Sequence, residues 1–231
     1  MNLTTPRTGG LLLTAAAPTL LAAELVRSDH SQERYAAQLA DVSAHRGPEL
    51  LSAGLFVIGG ILLVLSAIGL AGVVREGRGR TLVQAGAALL GIGGLWMAAG
   101  RAMFEGIVYA LASTDTSASA ASLEQIGNSA GTAIFIPLLL SLIAGPIVLA
   151  FGLGRMGVAP RWLAAVWFAG LIVFLGTETS KLGNLIGFGT MMGVLVALGL
   201  AVRNQAAVKS GSSHSTTPSA IVAATSGTPA R

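Results

Sequence analysis

The sequence predicts an all-α integral membrane protein whose six transmembrane helices form three hairpins. Two observations support this prediction. Hydrophobic residues make up 53% of the 231 residues and charged residues only 10%, whereas soluble domains contain about 25% charged residues. The apolar residues are also collected in stretches of about 20, the length that a helix needs to cross a bilayer. A chain with so little polar surface cannot cover itself in water, which excludes a soluble globular domain.

The first apolar stretch, residues 9–26, is predicted to be a transmembrane helix that bends at Pro18. A secretory signal peptide is the alternative, because Arg7 precedes a short apolar run that is followed by small residues. Cleavage after Ala23 would place Leu21 where a signal peptidase prefers a small residue. The sequence therefore favours a helix that is retained.

The other spans are predicted at 51–74, 82–104, 131–154, 162–177 and 182–202. Residues 29–46 place Tyr35, Leu39 and Val42 on one stripe, which predicts a short amphipathic helix on the outer surface. Residues 113–128 are rich in Ser, Ala and Thr and are expected to form at most one helical turn. The tail, residues 204–231, has no hydrophobic periodicity and is predicted to be disordered.

The basic residues predict the orientation of the six helices. Cytoplasmic loops are enriched in Lys and Arg, and with the N-terminus inside, the inner segments contain a single acidic residue, Glu76. This places both termini in the cytoplasm and the protein in the cell membrane. The basic residues are spread over several loops, which argues against a nucleic-acid partner. The inner ones are Arg7, Arg75, Arg78, Arg80, Arg155, Arg161, Arg203, Lys209 and Arg231.

Each outward-running helix ends with a glutamate and a basic residue three or four positions apart. This spacing places both side chains on one face of a helix. A carboxylate is disfavoured at the C-terminal end of a helix by the helix dipole, so each glutamate is expected to be paired or protonated. The pairs are Glu24 with Arg27, Arg101 with Glu105, and Glu178 with Lys181.

Two interpretations of these pairs are open. In the first, they are ordinary ion pairs that reach the head groups at the outer boundary of the bilayer. In the second, the three helices gather them around an outward-facing acidic vestibule, where a carboxyl group in an apolar wall is suited to proton donation and Arg101 to holding an anionic group. The candidate catalytic residues are then Glu24, Glu105 and Glu178, and the candidate substrate-binding residues are Arg101, Lys181, Trp96 and Tyr109.

No metal or cofactor is predicted. The chain has no cysteine, and its three histidines, His30, His45 and His214, lie in polar stretches. Trp96 and Tyr109 are also compatible with anchoring at the membrane interface or with packing.

The last predicted span has glycines at the spacing that allows helices to approach closely. This indicates tight packing within the bundle, or a contact with a partner helix or a second copy of the chain, and a flexible hinge is the alternative. The glycines are Gly183, Gly187, Gly189 and Gly193.

The opening RTGGLLL, the first helix ending in AAELVR and the second closing in GLAGVVR resemble a group of uncharacterised bacterial six-span membrane proteins, classed as a domain of unknown function. The resemblance covers residues 1–80. It implies no catalytic residue that can be transferred to this chain.

Three functions are compatible with the sequence. The first is a membrane-embedded enzyme that acts on a lipophilic, isoprenoid-like substrate by proton-triggered isomerisation or cyclisation. The second is a small transporter or exporter subunit, and the third is a non-catalytic membrane partner protein. The enzyme is favoured because the three acid–base pairs share one side of the bilayer. Membrane lipids are expected partners in each case.

Overall fold

The computed structural model describes residues 5–27, 35–72, 79–112, 116–127, 133, 135–177 and 180–212. Every long element in these ranges is helical and none is a strand, which confirms the predicted all-α class. The helices are α1 (Pro6–Val26), α2 (Tyr35–Ala44), α3 (Arg46–Ala71), α4 (Arg80–Leu95), a π-helix (Trp96–Arg101), α5 (Ala102–Leu111), α6 (Thr116–Gly127), α7 (Ile136–Arg155), α8 (Trp162–Gly176) and α9 (Lys181–Ser212).

Five helical runs are long and apolar enough to cross a membrane, so the chain is a multi-pass membrane protein. These runs are α1, α3, the continuous run from α4 to α5, α7, and α9 up to Ala206. Helix α8 is apolar throughout but has only 15 residues. It therefore extends about 22 Å, which is shorter than a bilayer core of about 30 Å.

Six helices form a closed ring. Each packs against the next along the chain, in the order α1, α3, α4, α7, α8 and α9, and α9 packs against α1. The interior is filled by large side chains that are fully buried, among them Leu13, Leu63, Leu90, Leu149 and Leu195. All six helices therefore share one core.

Glycines bring the backbones of neighbouring helices together at five of the six junctions of the ring. A Cβ atom added at these glycines would lie 3.0 Å or less from a backbone atom of the facing helix. Among the described residues, no such glycine contact joins the body of α7 to that of α8. We call these contacts glycine junctions: Gly9 with Gly69, Gly60 with Gly94, Gly86 with Leu149, Gly170 with Gly187, and Gly10 with Gly199.

A second, smaller core lies beside the ring at the end where α1 finishes. It is formed by α2, α5 and α6, and its buried residues are Leu39, Val42, Val108 and Leu123. The stripe of α2 therefore packs against protein, which the sequence does not predict. The expectation of at most one turn in 113–128 is wrong, because α6 has 12 residues.

Several predicted boundaries also change. Helices α1, α3 and α7 begin at Pro6, Arg46 and Ile136, where the predicted spans begin at residues 9, 51 and 131. The helical run that begins at Arg80 continues to Leu111 instead of ending near residue 104, because α5 packs on α2 and α6 beyond the ring. Helix α9 continues to Ser212, into the segment predicted as a disordered tail. The rest of that tail, 213–231, lies outside the described residues.

Candidate functional site

Four charged side chains meet where α1 ends and the π-helix passes into α5. We call Glu24, Arg27, Arg101 and Glu105 the charge cluster. Arg27 Nη2 lies 2.9 Å from Glu24 Oε1, and Arg27 Nη1 donates a hydrogen bond of 3.5 Å to Glu105 Oε1. Arg101 Nε lies 2.9 Å from Glu105 Oε1, and Arg101 Nη2 lies 3.9 Å from Glu24 Oε2. Each arginine therefore bridges both glutamates.

The charge cluster is buried to different depths. Glu105 is fully buried and Glu24 is 7% exposed, whereas the side chain of Arg101 is 28% exposed. A buried charge is tolerated when it is paired, because removal from water costs several kcal/mol per ion. Two carboxylates and two guanidinium groups give no net formal charge, which is consistent with their position in an apolar bundle.

Neighbouring helices hold the charge cluster in place. The Arg101 guanidinium lies 5.3 Å from the centre of the Phe56 ring on α3, a cation–π contact. Lys181 Nζ, at the start of α9, donates a hydrogen bond of 3.0 Å to the backbone oxygen of Arg27. Ser52 Oγ donates to the backbone oxygen of Ala23 at 2.9 Å. Thus α3 and α9 both fix the end of α1.

Arg101 keeps hydrogen-bonding capacity. Although its Nε lies near Glu105 Oε1, the N–H is not aligned on that oxygen, and among the described residues this nitrogen has no hydrogen-bond partner. The 3.9 Å separation from Glu24 is too long for a hydrogen bond. Its contacts to the two carboxylates are therefore electrostatic. Nε itself is buried, so the part of the guanidinium that is accessible to a ligand oxygen is the exposed part beyond Nε.

The π-helix positions Trp96 and Arg101 at its two ends. π-Helical turns are rare and often occur at functional sites. The wider turn places the Trp96 ring directly over Gly100, where an added Cβ would overlap it. Trp96 also packs against Phe135, with ring centres 5.1 Å apart. The local geometry thus depends on glycine at position 100.

A cavity of about 250 Å³ lies below the charge cluster, inside the ring. We call it the central cavity. Glu24 and Arg101 form its polar end, and the remaining wall is apolar and partly aromatic. Five of the ring helices, α1, α3, α7, α8 and α9, contribute to the wall, and the π-helix that follows α4 contributes the rest. The lining residues are Glu24, Phe56, Trp96, Met97, Arg101, Leu139, Leu142, Ile143, Trp167, Leu171, Phe174, Leu175, Phe188, Met191 and Met192.

The wall of the central cavity includes exposed residues of α7 and α8, which are neighbouring helices of the ring. These are Leu139 on α7, exposed by 42%, and Leu175 on α8, exposed by 53%. The junction between α7 and α8 is the one without a glycine contact between the helix bodies. One hydrogen bond crosses it deeper in the bundle, from Trp167 Nε1 to the backbone oxygen of Ile143 at 3.1 Å.

The structure brings some of the predicted site residues together and separates others. The pairs Glu24–Arg27 and Arg101–Glu105 are present, and Glu24, Arg101 and Trp96 line the central cavity. Glu105 and Lys181 do not line the cavity. Glu105 is fully buried and contacts Arg101, and Lys181 donates to the backbone oxygen of Arg27.

Tyr109 lies elsewhere, because its ring stacks under the guanidinium of Arg46 at 5.4 Å. Glu178 lies outside the described residues. Arg27 and Phe56 are site residues that the sequence prediction did not include. The spacing of Arg27 from Glu24 signals its first contact, but no sequence pattern signals Phe56.

Within the described part of the chain, no group of three or more His, Cys, Asp or Glu residues could hold a metal ion. A comparison with family models, curated proteins and solved structures finds no match to this chain. The function must therefore be inferred from the geometry of the site itself.

Proposed function

We propose that the protein binds a lipophilic molecule with an oxygen-containing head group in the central cavity. The observation that supports this proposal is the polarity of the cavity. One end carries Glu24 and Arg101, and the rest is apolar and drawn from α3, the π-helix, α7, α8 and α9. Ligand sites commonly combine an apolar wall with a few polar groups that fix orientation.

The head group is held by Arg101. Its guanidinium is the most exposed part of the charge cluster and can donate to an oxygen acceptor. Hydrogen bonds to a charged donor are stronger than neutral ones. Lys181 adds a positive charge beside Arg27 of the charge cluster, so an anionic oxygen is favoured over a cationic group.

The apolar part of the ligand lies against Leu142, Trp167 and Phe188 and enters between α7 and α8. The exposure of the lining residues Leu139 and Leu175 on these two helices supports this entrance. The volume of about 250 Å³ is close to the lower limit of small-molecule sites, about 300 Å³. It accommodates one alkyl or isoprenoid segment and leaves the rest of a long chain outside.

The experiment compares the lipids that remain bound to the purified protein. Leu139→Trp obstructs the entrance, whereas Leu140→Trp adds the same ring to a neighbouring residue of α7 that is 56% exposed and does not line the cavity. We expect a lipid retained by the wild type and by Leu140→Trp to be lost in Leu139→Trp and in Arg101→Gln. Equal lipid profiles in all four folded proteins would refute the proposal.

A second candidate function, catalysis on the bound molecule, is favoured by Glu24, because this carboxyl group faces the central cavity. Glu105 does not line the cavity, so Glu24 is the proposed proton-transferring residue for isomerisation or cyclisation of an isoprenoid-like substrate. In cells, a product made by the wild type and by Glu105→Gln but not by Glu24→Gln would support catalysis. Identical products from all three folded proteins would mean that the protein binds the molecule without converting it.

We also propose that α8 crosses the membrane, which gives six spans, and that both termini lie in the cytoplasm of a cell membrane. The distribution of Lys and Arg supports this orientation. The charge cluster then belongs to the outer half of the bilayer. The other two functions compatible with the sequence, a transporter subunit and a non-catalytic partner protein, are consistent with the same six spans.

A further inference from the structure

The second polar cleft of the ring lies at the opposite end from the charge cluster, between α1 and α9. Its volume is about 350 Å³, and the described residues that line it are Arg7, Leu11, Arg203 and Asn204. It shares no residue with the central cavity.

The antiparallel packing of α1 and α9 brings the two arginines to the same level. At the Gly10–Gly199 junction, a Cβ atom on Gly10 would lie 3.0 Å from the backbone nitrogen of Arg203. Arg7 precedes Gly10 by three residues, so it lies one helical turn away on a similar face. Both guanidinium groups therefore lie at the cleft.

Neither arginine has an ion-pair or hydrogen-bond partner among the described residues, unlike Arg27 and Arg101 at the other end. Two like charges in one cleft repel each other, and an anion between them removes that repulsion. Guanidinium groups match the oxygens of a phosphate in bidentate geometry. The apolar side chain of Leu11, 46% exposed, lines the same cleft.

We propose that this cleft binds a phosphate group between Arg7 and Arg203. The exposed Leu11 favours a phospholipid head group as its source, because the acyl chain of the lipid can lie along that side chain. Basic pockets between transmembrane helices are typical sites for anionic lipids. This proposal is independent of the ligand in the central cavity.

The test measures lipid binding to the full chain in detergent by native mass spectrometry. Phosphatidylglycerol is titrated against the wild type, Arg7→Gln, Arg203→Gln and the control Arg155→Gln, which removes an exposed arginine that does not line the cleft. Loss of one charged hydrogen-bond donor is expected to weaken binding about tenfold in the two cleft variants. Arg155→Gln should bind as the wild type does.

Two further arms identify the source of the phosphate. If millimolar inorganic phosphate competes with the lipid, the cleft binds the free anion. If it does not compete, the lipid is required. Equal binding by all four proteins, or equal weakening in all three variants, would overturn the proposal, since binding would then depend on general charge attraction. Thermal unfolding of each variant in the same detergent confirms that the protein is folded.

Discussion

Arg27 is the residue on which the charge cluster depends most. It contacts Glu24 at 2.9 Å and Glu105 at 3.5 Å, and its side chain is only 11% exposed. Arg101 also contacts both glutamates, but it is more exposed and its contacts are less well aligned. Arg27 is therefore a structural residue, and Arg101 is the one available to a ligand.

We expect Arg27→Gln to lower the free energy of unfolding by about 3–5 kcal/mol, because it removes one of the two guanidinium groups that face the buried carboxylates. The double variant Arg27→Gln with Glu105→Gln should recover part of this loss, with a coupling energy of about 0.5–3 kcal/mol. Reversible unfolding in a fixed detergent measures both. Arg155→Gln, at an exposed position, should change stability by less than about 0.5 kcal/mol. Additive effects in the double variant would contradict the bridging role.

At the scale of elements, the π-helix makes Gly100 a specific requirement. An alanine there would collide with the Trp96 ring, whereas Gly106 on α5 has nothing within 4 Å of an added Cβ. We expect Gly100→Ala to destabilise the protein by about 1–3 kcal/mol and to displace Trp96 from the cavity wall. Gly106→Ala should be neutral or stabilise by up to about 1 kcal/mol, since alanine is the better helix former. Thermal unfolding of the two variants checks this prediction, and lipid retention is a second readout. Equal unfolding temperatures and equal lipid retention in the two variants would contradict a specific requirement for glycine in the π-helix.

The four glycines of α9 separate into two kinds. Gly183 and Gly187 face Thr177 and Phe174 closely, whereas Gly189 is in ordinary contact with Leu21 and Gly193 has open space. We expect Gly187→Ala to destabilise the α8–α9 contact by about 1–3 kcal/mol and Gly193→Ala to be tolerated. Unfolding midpoints in detergent distinguish them. A stable Gly187→Ala protein would mean that the two helices separate at little cost.

At the scale of the whole molecule, the lack of cysteine allows the orientation to be tested with single cysteines. Glu124 on α6 and Arg161 before α8 are exposed and lie at opposite ends of the ring helices. We expect Glu124→Cys to react with a membrane-impermeant maleimide in intact cells and Arg161→Cys to react only after permeabilisation. The reverse pattern would invert the proposed orientation.

The sequence predicts those parts of the molecule that depend on local spacing. The apolar stretches locate the ring helices, and the pairs Glu24–Arg27 and Arg101–Glu105 follow from positions on one helix face. The contact between Arg27 and Glu105 depends on the register of two helices, which a single sequence does not specify. The same is true of Phe56 under Arg101 and of the burial of Leu39 against α5 and α6.

The contact between α1 and α9 closes the ring with the first and last of its helices. The start of α1 and the segment around Arg203 share one cleft, and the turn from Met156 to Trp162 lies at the same end. A circular permutant that joins the end of α9 to the start of α1 through a linker, and that opens the chain at Gly157, would preserve every glycine junction. The ring therefore has no structurally privileged first helix, and a gene with a rotated order of helices could encode the same molecule.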